Sequence, residues 1–255
     1  MAENPSHSNG TLSGGKAMRN FVVITVMLCV AALMLQTSSA FASELFNKRG
    51  LEFRAGFSHY FMDDPNDAVE AYPSNYTVTK TMGSPMLGIS LLYKTYHNFG
   101  WNIGYNYLFK STSKAEGPDT VEYKIRGHEL FVMGCYYYPF NSDFTGSVGL
   151  GLNGFFGWAD REQTTGAGFD NASGRSLGLI ANLGLEYALK EHLGLKLGVG
   201  YRNAMIDQIS YRDANDREHT VYYGNRPMEL DFSGFYGQLG LCVYFEPATH
   251  FKTYD

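Results

Sequence analysis

The sequence predicts an all-β fold, an eight-stranded antiparallel up-and-down transmembrane β-barrel. Three observations carry this expectation. Segment after segment alternates apolar and polar residues with a period of two, which gives a strand two unlike faces. The connections between these segments alternate short and long. The composition is low in charge, at 18%, and rich in aromatic residues, at 15%, and in glycine, with 29 of 255 residues. Soluble domains carry about 25% charged residues and about 7% glycine, so this chain suits an outer surface that is not mainly in water.

The first 42 residues read as a secretory signal peptide. Lys16 and Arg19 precede the apolar run FVVITVMLCVAALML at 21–35. That run is shorter than the roughly 20 residues of a spanning helix and fits a signal-peptide core. Ala40-Phe41-Ala42 supplies the small residues of a cleavage site, between Ala42 and Ser43. An uncleaved anchor helix is the alternative. Cleavage would remove Lys16, Arg19 and Glu3, changing the net charge from −5 to −6. There is no basic run, so nucleic acid is not an expected partner.

The barrel, expected over 43–245, divides into eight segments. The first, 50–61 (GLEFRAGFSHYF), carries Glu52 and Arg54 on one face. The second, 85–94, ends in Lys94. The third, 100–110, sets Trp101, Ile103, Tyr105, Tyr107 and Phe109 against Asn102, Gly104, Asn106, Leu108 and Lys110. The fourth, 123–138, has the least clear parity, and the fifth is 144–159. The sixth, 175–189, sets Leu177, Leu179, Ala181, Leu183, Leu185 and Tyr187 against Ser176, Gly178, Ile180, Asn182, Gly184 and Glu186. The seventh, 193–206, opens LGLKLGVGYR and opposes leucines to Lys196, Arg202 and glycines. The eighth, 231–245, ends FYGQLGLCVYF. Connections 95–99, 139–143 and 190–192 are short; 62–84, 111–122, 160–174 and 207–230 are long. Membrane barrels have short periplasmic turns and long external loops, and an even strand count leaves both ends in the periplasm.

The second face is mostly Gly, Ser and Asn, with scattered charges. A water-facing surface would carry more Lys and Glu, whereas a narrow eight-stranded lumen holds little side-chain volume. The apolar set is therefore expected to face lipid. Tyr93, Tyr96, Phe99, Trp101, Tyr136, Tyr138, Phe140, Phe144, Tyr187, Tyr244 and Phe245 gather at the periplasmic ends, as an interfacial girdle requires.

With these strands, with GLEFRAGFSHYF, HELFVMGCYYYPF (128–140) and the final LGLCVYF, the chain resembles the small outer-membrane barrels of Gram-negative bacteria. That group includes the OmpA transmembrane domain, OmpX, Ail-like adhesins and opacity-type, porin-like proteins. The resemblance implies an outer-membrane location at the cell surface, contact with outer-membrane lipids and lipopolysaccharide, and insertion by the barrel-assembly machinery. It also implies that Leu239, Leu241, Val243 and Phe245 form the C-terminal assembly signal. Ten residues follow Phe245 and read as a short periplasmic tail over 246–255, too short for the peptidoglycan-binding domain of OmpA.

Inward charges are expected at Glu52, Arg54, Lys94, Lys110, Glu129, Glu186, Lys196 and Arg202. Unpaired charges in a filled lumen are costly, so these should pair into a structural polar network. An ion path is the sharper alternative. Cys135 and Cys242 lie on diametrically opposite strands, farther apart than the roughly 7 Å a disulfide allows, and free thiols are expected. A lipid-modifying enzyme would need His beside a nucleophile. Here Ser58 and His59 point to opposite faces, as do His128 and Glu129, so His59 is the one candidate retained. Asp63, Asp64 and Asp67 lack ordered cation-ligand spacing, and the sequons at Asn75 and Asn171 read as chance. No cofactor or metal is expected. The expected product is a monomeric, non-enzymatic surface protein with a structural or adhesin-like role, binding a host or environmental ligand through its external loops. A narrow pore, a lipid-modifying enzyme and a soluble periplasmic calyx are the other readings.

Overall fold

A computed structural model describes residues 48–95, 98–165 and 168–245. The expected signal peptide and its Ala42–Ser43 cleavage site, Tyr96 and the 246–255 tail lie outside the described residues. Eight long strands make the wall. They are β1 (Arg49–His59), β2 (Gly83–Lys94), β3 (Phe99–Glu116), β4 (Val121–Pro139), β5 (Phe144–Gln163), β6 (Phe169–Lys190), β7 (Leu193–Arg202) and β8 (Gly234–Phe245). Each pairs antiparallel with its neighbour in sequence, and β8 returns to β1. At this closing seam Arg49 faces Phe245 and Ser58 faces Tyr236. Where all eight strands run side by side, closure leaves no free sheet edge, which is what lets a sheet cross a bilayer.

The burial pattern settles the sense of the alternation. Along β8, Phe235, Leu239, Leu241 and Phe245 are exposed, while Tyr236, Gln238, Gly240, Cys242 and Tyr244 point inward and are buried. Along β7, Leu195, Leu197 and Val199 are exposed and Lys196 is buried. Large apolar side chains thus cover the outside, and polar ones fill the inside. Leu177 is 89% exposed, an arrangement that water would not favour.

The periplasmic turns are tight. Thr95 N–H donates to Phe99 O at 2.7 Å, and Asn98 takes a left-handed φ of 61°, which Asn tolerates. In the next turn the Asn141 side-chain oxygen accepts the N–H groups of Asp143 and Phe144 at 2.9 and 2.8 Å. Rings pair nearby, across strands for Phe99 with Tyr136 and Phe144 with Tyr187, at centroid distances of 5.2 and 4.9 Å, and along the chain into the turn for Tyr138 with Phe140, at 5.1 Å. Tyr244 departs from the expected girdle. It lies inside the barrel, because β8 holds one parity to its end.

The outer side differs more from the expectation. β3, β4, β5 and β6 run for 18, 19, 20 and 22 residues, about twice the 9–11 that a tilted spanning strand needs. Two of the expected long loops, 111–122 and 160–174, are therefore largely strand, and two hairpins rise beyond the belt. On β3 the register slips between Leu108 and Ser111. Such a bulge adds a residue to one strand and reverses its parity. Asn106 and Leu108 point inward before it, Ser113 and Ala115 after it, and Lys110 is left exposed on the outside. Lys110 is thus corrected: it is not a lumen residue.

The connections 60–82 and 203–233 do remain long, and they fold. The first holds one helix, α1 (Asp63–Glu70), with Pro65 in its first turn, where a missing N–H costs nothing. Its strand Thr77–Thr79 pairs with Lys114–Glu116 of β3. The second holds the hairpin Ser210–Arg212/Glu218–Thr220, which touches β6 through Ser210 and Ser173.

Candidate functional site

The lumen is filled in two layers of opposite character. The periplasmic layer is polar. Lys196 pairs with Glu52 at 3.2 Å, Lys94 with Glu186 at 2.9 Å and Arg202 with Glu129 at 2.8 Å. Glu129 also accepts the amides of Asn106 and Asn153, each at 2.7 Å, and Glu186 accepts the Tyr244 hydroxyl at 2.6 Å. All six ionic side chains are buried. Each pair joins strands distant in sequence, so the charges hold the walls together across the interior. Arg54, also buried, lies 4.6 Å over the Phe131 ring and has no carboxylate within ion-pair distance among the described residues.

Glycine makes room for these long side chains. A Cβ at Gly104 would sit 2.5 Å from Phe131 Cζ and 2.7 Å from an Arg54 guanidinium nitrogen. One at Gly240 would sit 2.8 Å from Glu52 Oε1. Cys135 and Cys242 are free and buried in the same layer.

The outer layer is apolar, where the alternation of the strands predicts a polar interior. Met86, Leu108, Ile125, Phe155, Ala159 and Ala172 of the wall meet Tyr60, Met62, Val69, Ile206, Leu230 and Phe232 of the two long connections, all buried. Phe232 stacks on Phe155 at 4.4 Å and meets Tyr60 at 5.5 Å. Arg202 marks the boundary: it donates to Glu129 and, at 3.0 Å, to Ser58 Oγ, while its guanidinium lies 5.9 Å from the Phe155 ring. Periodicity alone hid this layer, because it is made by loop residues that return into the barrel. The apolar spacing of Met228, Leu230 and Phe232 was the available signal.

The two long connections are tied together at Asp64. It accepts the Arg226 guanidinium and, at 2.8 Å, the Glu229 N–H. Asp67 on the same helix has its carboxyl raised, by burial first and then by Asp63, Asp64 and Glu70. Asp63, Asp64 and Asp67 are thus helix residues serving the crown. In the outer hairpin, Asp213 accepts the N–H groups of Asn215 and Arg217 at 2.9 Å each, and lies 3.1 Å from His219 Nε2. The Arg217 N–H, then the His219 contact, hold its carboxyl below the ordinary range.

His59 is exposed on the outside of β1 and meets the Phe61 ring at 5.8 Å. Ser58 points into the lumen toward Arg202, so the two do not form a nucleophile and base. Leu239, Leu241, Val243 and Phe245 share the outward face of β8.

Residues 27–225 match the family model described as the outer membrane protein beta-barrel domain. Among solved structures the chain is similar to the outer membrane protein OprG of Pseudomonas aeruginosa, at 17% identity and a TM-score of 0.50, over 81% of this chain and 99% of that one. It is also similar to Ail, the attachment invasion locus protein of Yersinia pestis, at 9% identity and TM-score 0.44, over 79% and 100%. The outer membrane protein W of E. coli follows at 14% identity and TM-score 0.34, over 80% and 100%. No match was found among curated proteins. A match over most of the chain, on a closed barrel with an apolar exterior, places the chain in the outer membrane protein β-barrel domain family, a protein of the Gram-negative outer membrane.

Proposed function

We propose that this protein is a closed, non-enzymatic, monomeric surface barrel whose function lies in its external crown. The observation that carries this reading is the doubly filled lumen. Three buried ion pairs block the periplasmic half, and the folded connections block the outer half with an apolar core. A plugged barrel offers its surroundings its outer parts, here two raised hairpins and the packed connections. Rings stack in series from the core to the crown surface: buried Phe169 on Tyr211 at 5.8 Å, and Tyr211 on the exposed His219 at 5.4 Å. Tyr222 is 63% exposed. Such amphipathic rings suit recognition of a host or environmental ligand.

Export and insertion complete the reading. Residues 1–42 are a cleaved signal, 43–245 the inserted barrel and 246–255 a periplasmic tail. The assembly machinery reads Leu239, Leu241, Val243 and Phe245, whose side chains share one face of the closing strand.

The test is surface attachment. Cells displaying the wild type are compared with cells in which 211–219 is replaced by a two-residue turn, for adherence to epithelial monolayers. The variant should keep its heat-dependent gel shift and lose adherence. Equal adherence of both, at equal surface levels, would refute a binding role for the hairpin.

A further inference from the structure

We propose that the lumen binds one small monovalent anion of the chloride class, held by the Arg54 guanidinium midway along β1. The proposal rests on the charged interior and is independent of any binding role for the crown.

The first observation is a surplus of positive charge. The buried charged side chains that the eight strands turn inward are Arg54, Lys94, Lys196 and Arg202 against Glu52, Glu129 and Glu186. Each carboxylate holds one cation: Glu52 holds Lys196, Glu129 holds Arg202 and Glu186 holds Lys94. Arg54 is left over. Two further buried carboxylates belong to the outer connections, where Asp64 holds Arg226 and Asp231 accepts the Ser233 N–H at 2.9 Å. Neither lies within ion-pair distance of Arg54. A buried cation without a counter-charge is among the costliest groups a folded chain can carry.

The second observation is the direction in which Arg54 points. It is 5% exposed, and one face of its guanidinium rests on the Phe131 ring at 4.6 Å. That contact leaves the N–H edge uncovered, and neither Nε nor Nη2 has a hydrogen-bond acceptor among the described residues. The head reaches toward β3: the position a Gly104 Cβ would take is 2.7 Å from an Arg54 guanidinium nitrogen and 2.5 Å from Ser90 Cβ. Glu52 lies two residues earlier on the same face, yet it turns the other way. A Gly240 Cβ on β8 would sit 2.8 Å from Glu52 Oε1.

The groups around the head can donate. The Ser90 hydroxyl reaches Glu52 only at a long 3.4 Å. Asn102 and Asn106 point inward on either side of Gly104. The Asn106 amide is committed to Glu129, and its oxygen lies over Gly88 of β2, beside the Arg54 stem and not its head. No hydrogen bond among the described residues fixes the Asn102 side chain, whose oxygen is buried without a partner. A half-turn of that amide presents its NH2 instead. A water molecule would accept from Arg54 but leave the surplus charge in place. A small monovalent anion accepts from Arg54, Ser90 and Asn102 together and brings the interior to neutrality. A divalent oxyanion would overshoot it.

The test uses the full-length mature barrel and two probes, chloride and bromide. Urea unfolding in lipid vesicles is followed at constant ionic strength, with gluconate replaced stepwise by chloride. An anion that binds only the folded barrel should raise the wild-type folding constant about tenfold for each tenfold rise in chloride once the site is filled. Arg54→Met removes the surplus charge and should abolish this dependence. Asn102→Asp supplies a fixed counter-charge beside Arg54 and should abolish it too, whereas Arg54→Lys should keep it. Crystals of the wild type grown in bromide should show an anomalous peak in contact with the Arg54 guanidinium. A wild-type stability indifferent to chloride would overturn the site, as would an undiminished dependence in either folded variant. Solvent density at Arg54 without an anomalous signal would mean water and would overturn the anion, and so would no density there at all. Should a variant lose its heat-dependent gel shift, the wild-type titration and the bromide peak decide.

Discussion

Glu129 shows how much a single lumen residue bears. It has no exposure and accepts from Arg202, Asn106 and Asn153. Glu129→Ala leaves the Arg202 guanidinium buried without its carboxylate, which costs about 3–5 kcal/mol. Pairing it with Arg202→Met should recover part of that loss, because the unpaired buried guanidinium is then gone, while the amides of Asn106 and Asn153 still lack their acceptor. Urea unfolding of the refolded barrel in lipid vesicles measures both. A double variant no more stable than Glu129→Ala alone would contradict the pairing. Glu129 was legible in the sequence as inward-facing, although its strand has the least clear parity, because a charge on a spanning strand has few other places to go. Lys110 was not. It sits within a register slip, between Leu108 and Ser111, and alternation cannot reveal the slip itself.

At the scale of the element, β3 carries both a packing constraint and that bulge. Gly104→Val should cost about 1–3 kcal/mol, since the added atoms meet Phe131 and Arg54 rather than open space. Unfolding in the same vesicles checks this, and a neutral effect would mean the lumen packs loosely there. The outer hairpin Ser210–Thr220 gives a pH prediction. Asp213 titrates below its ordinary 3.8 because the folded turn donates to its ionised form. A depressed carboxyl stabilises the fold above its unfolded value and loses that contribution as pH falls through the folded one. Amide exchange at Asn215 and Arg217, corrected for intrinsic rate, should therefore stay level down to about pH 4 and quicken below it. The spanning parts of the strands were legible because lipid enforces strict alternation. The extensions of β3–β6 were not, because above the membrane both faces become mixed: Lys114, Glu116 and Glu122 read as loop. Helix α1 was hidden for a similar reason, its DDPNDAVE being too polar and short to declare a face.

At the scale of the molecule, the filled lumen follows from closing eight strands. The circumference is narrow, and glycines on neighbouring strands make room for large inward groups, Gly104 beside Phe131 and Gly240 beside Glu52. The sequence pattern identified the closed wall, the lipid-facing side and a charged interior. It did not identify the apolar layer, because Met62, Val69, Leu230 and Phe232 enter the barrel from connections far apart in the chain. Cys135 and Cys242 lie inside this closed shell. A bulky maleimide should label neither in the folded barrel and both after denaturation, as read by intact mass. The most direct measurement of the central claim is conductance of the purified wild-type barrel across a planar lipid bilayer. The doubly filled lumen predicts successful insertion with no steady current above background. A steady conductance that scales with the number of inserted barrels, at neutral pH and without denaturant, would contradict it.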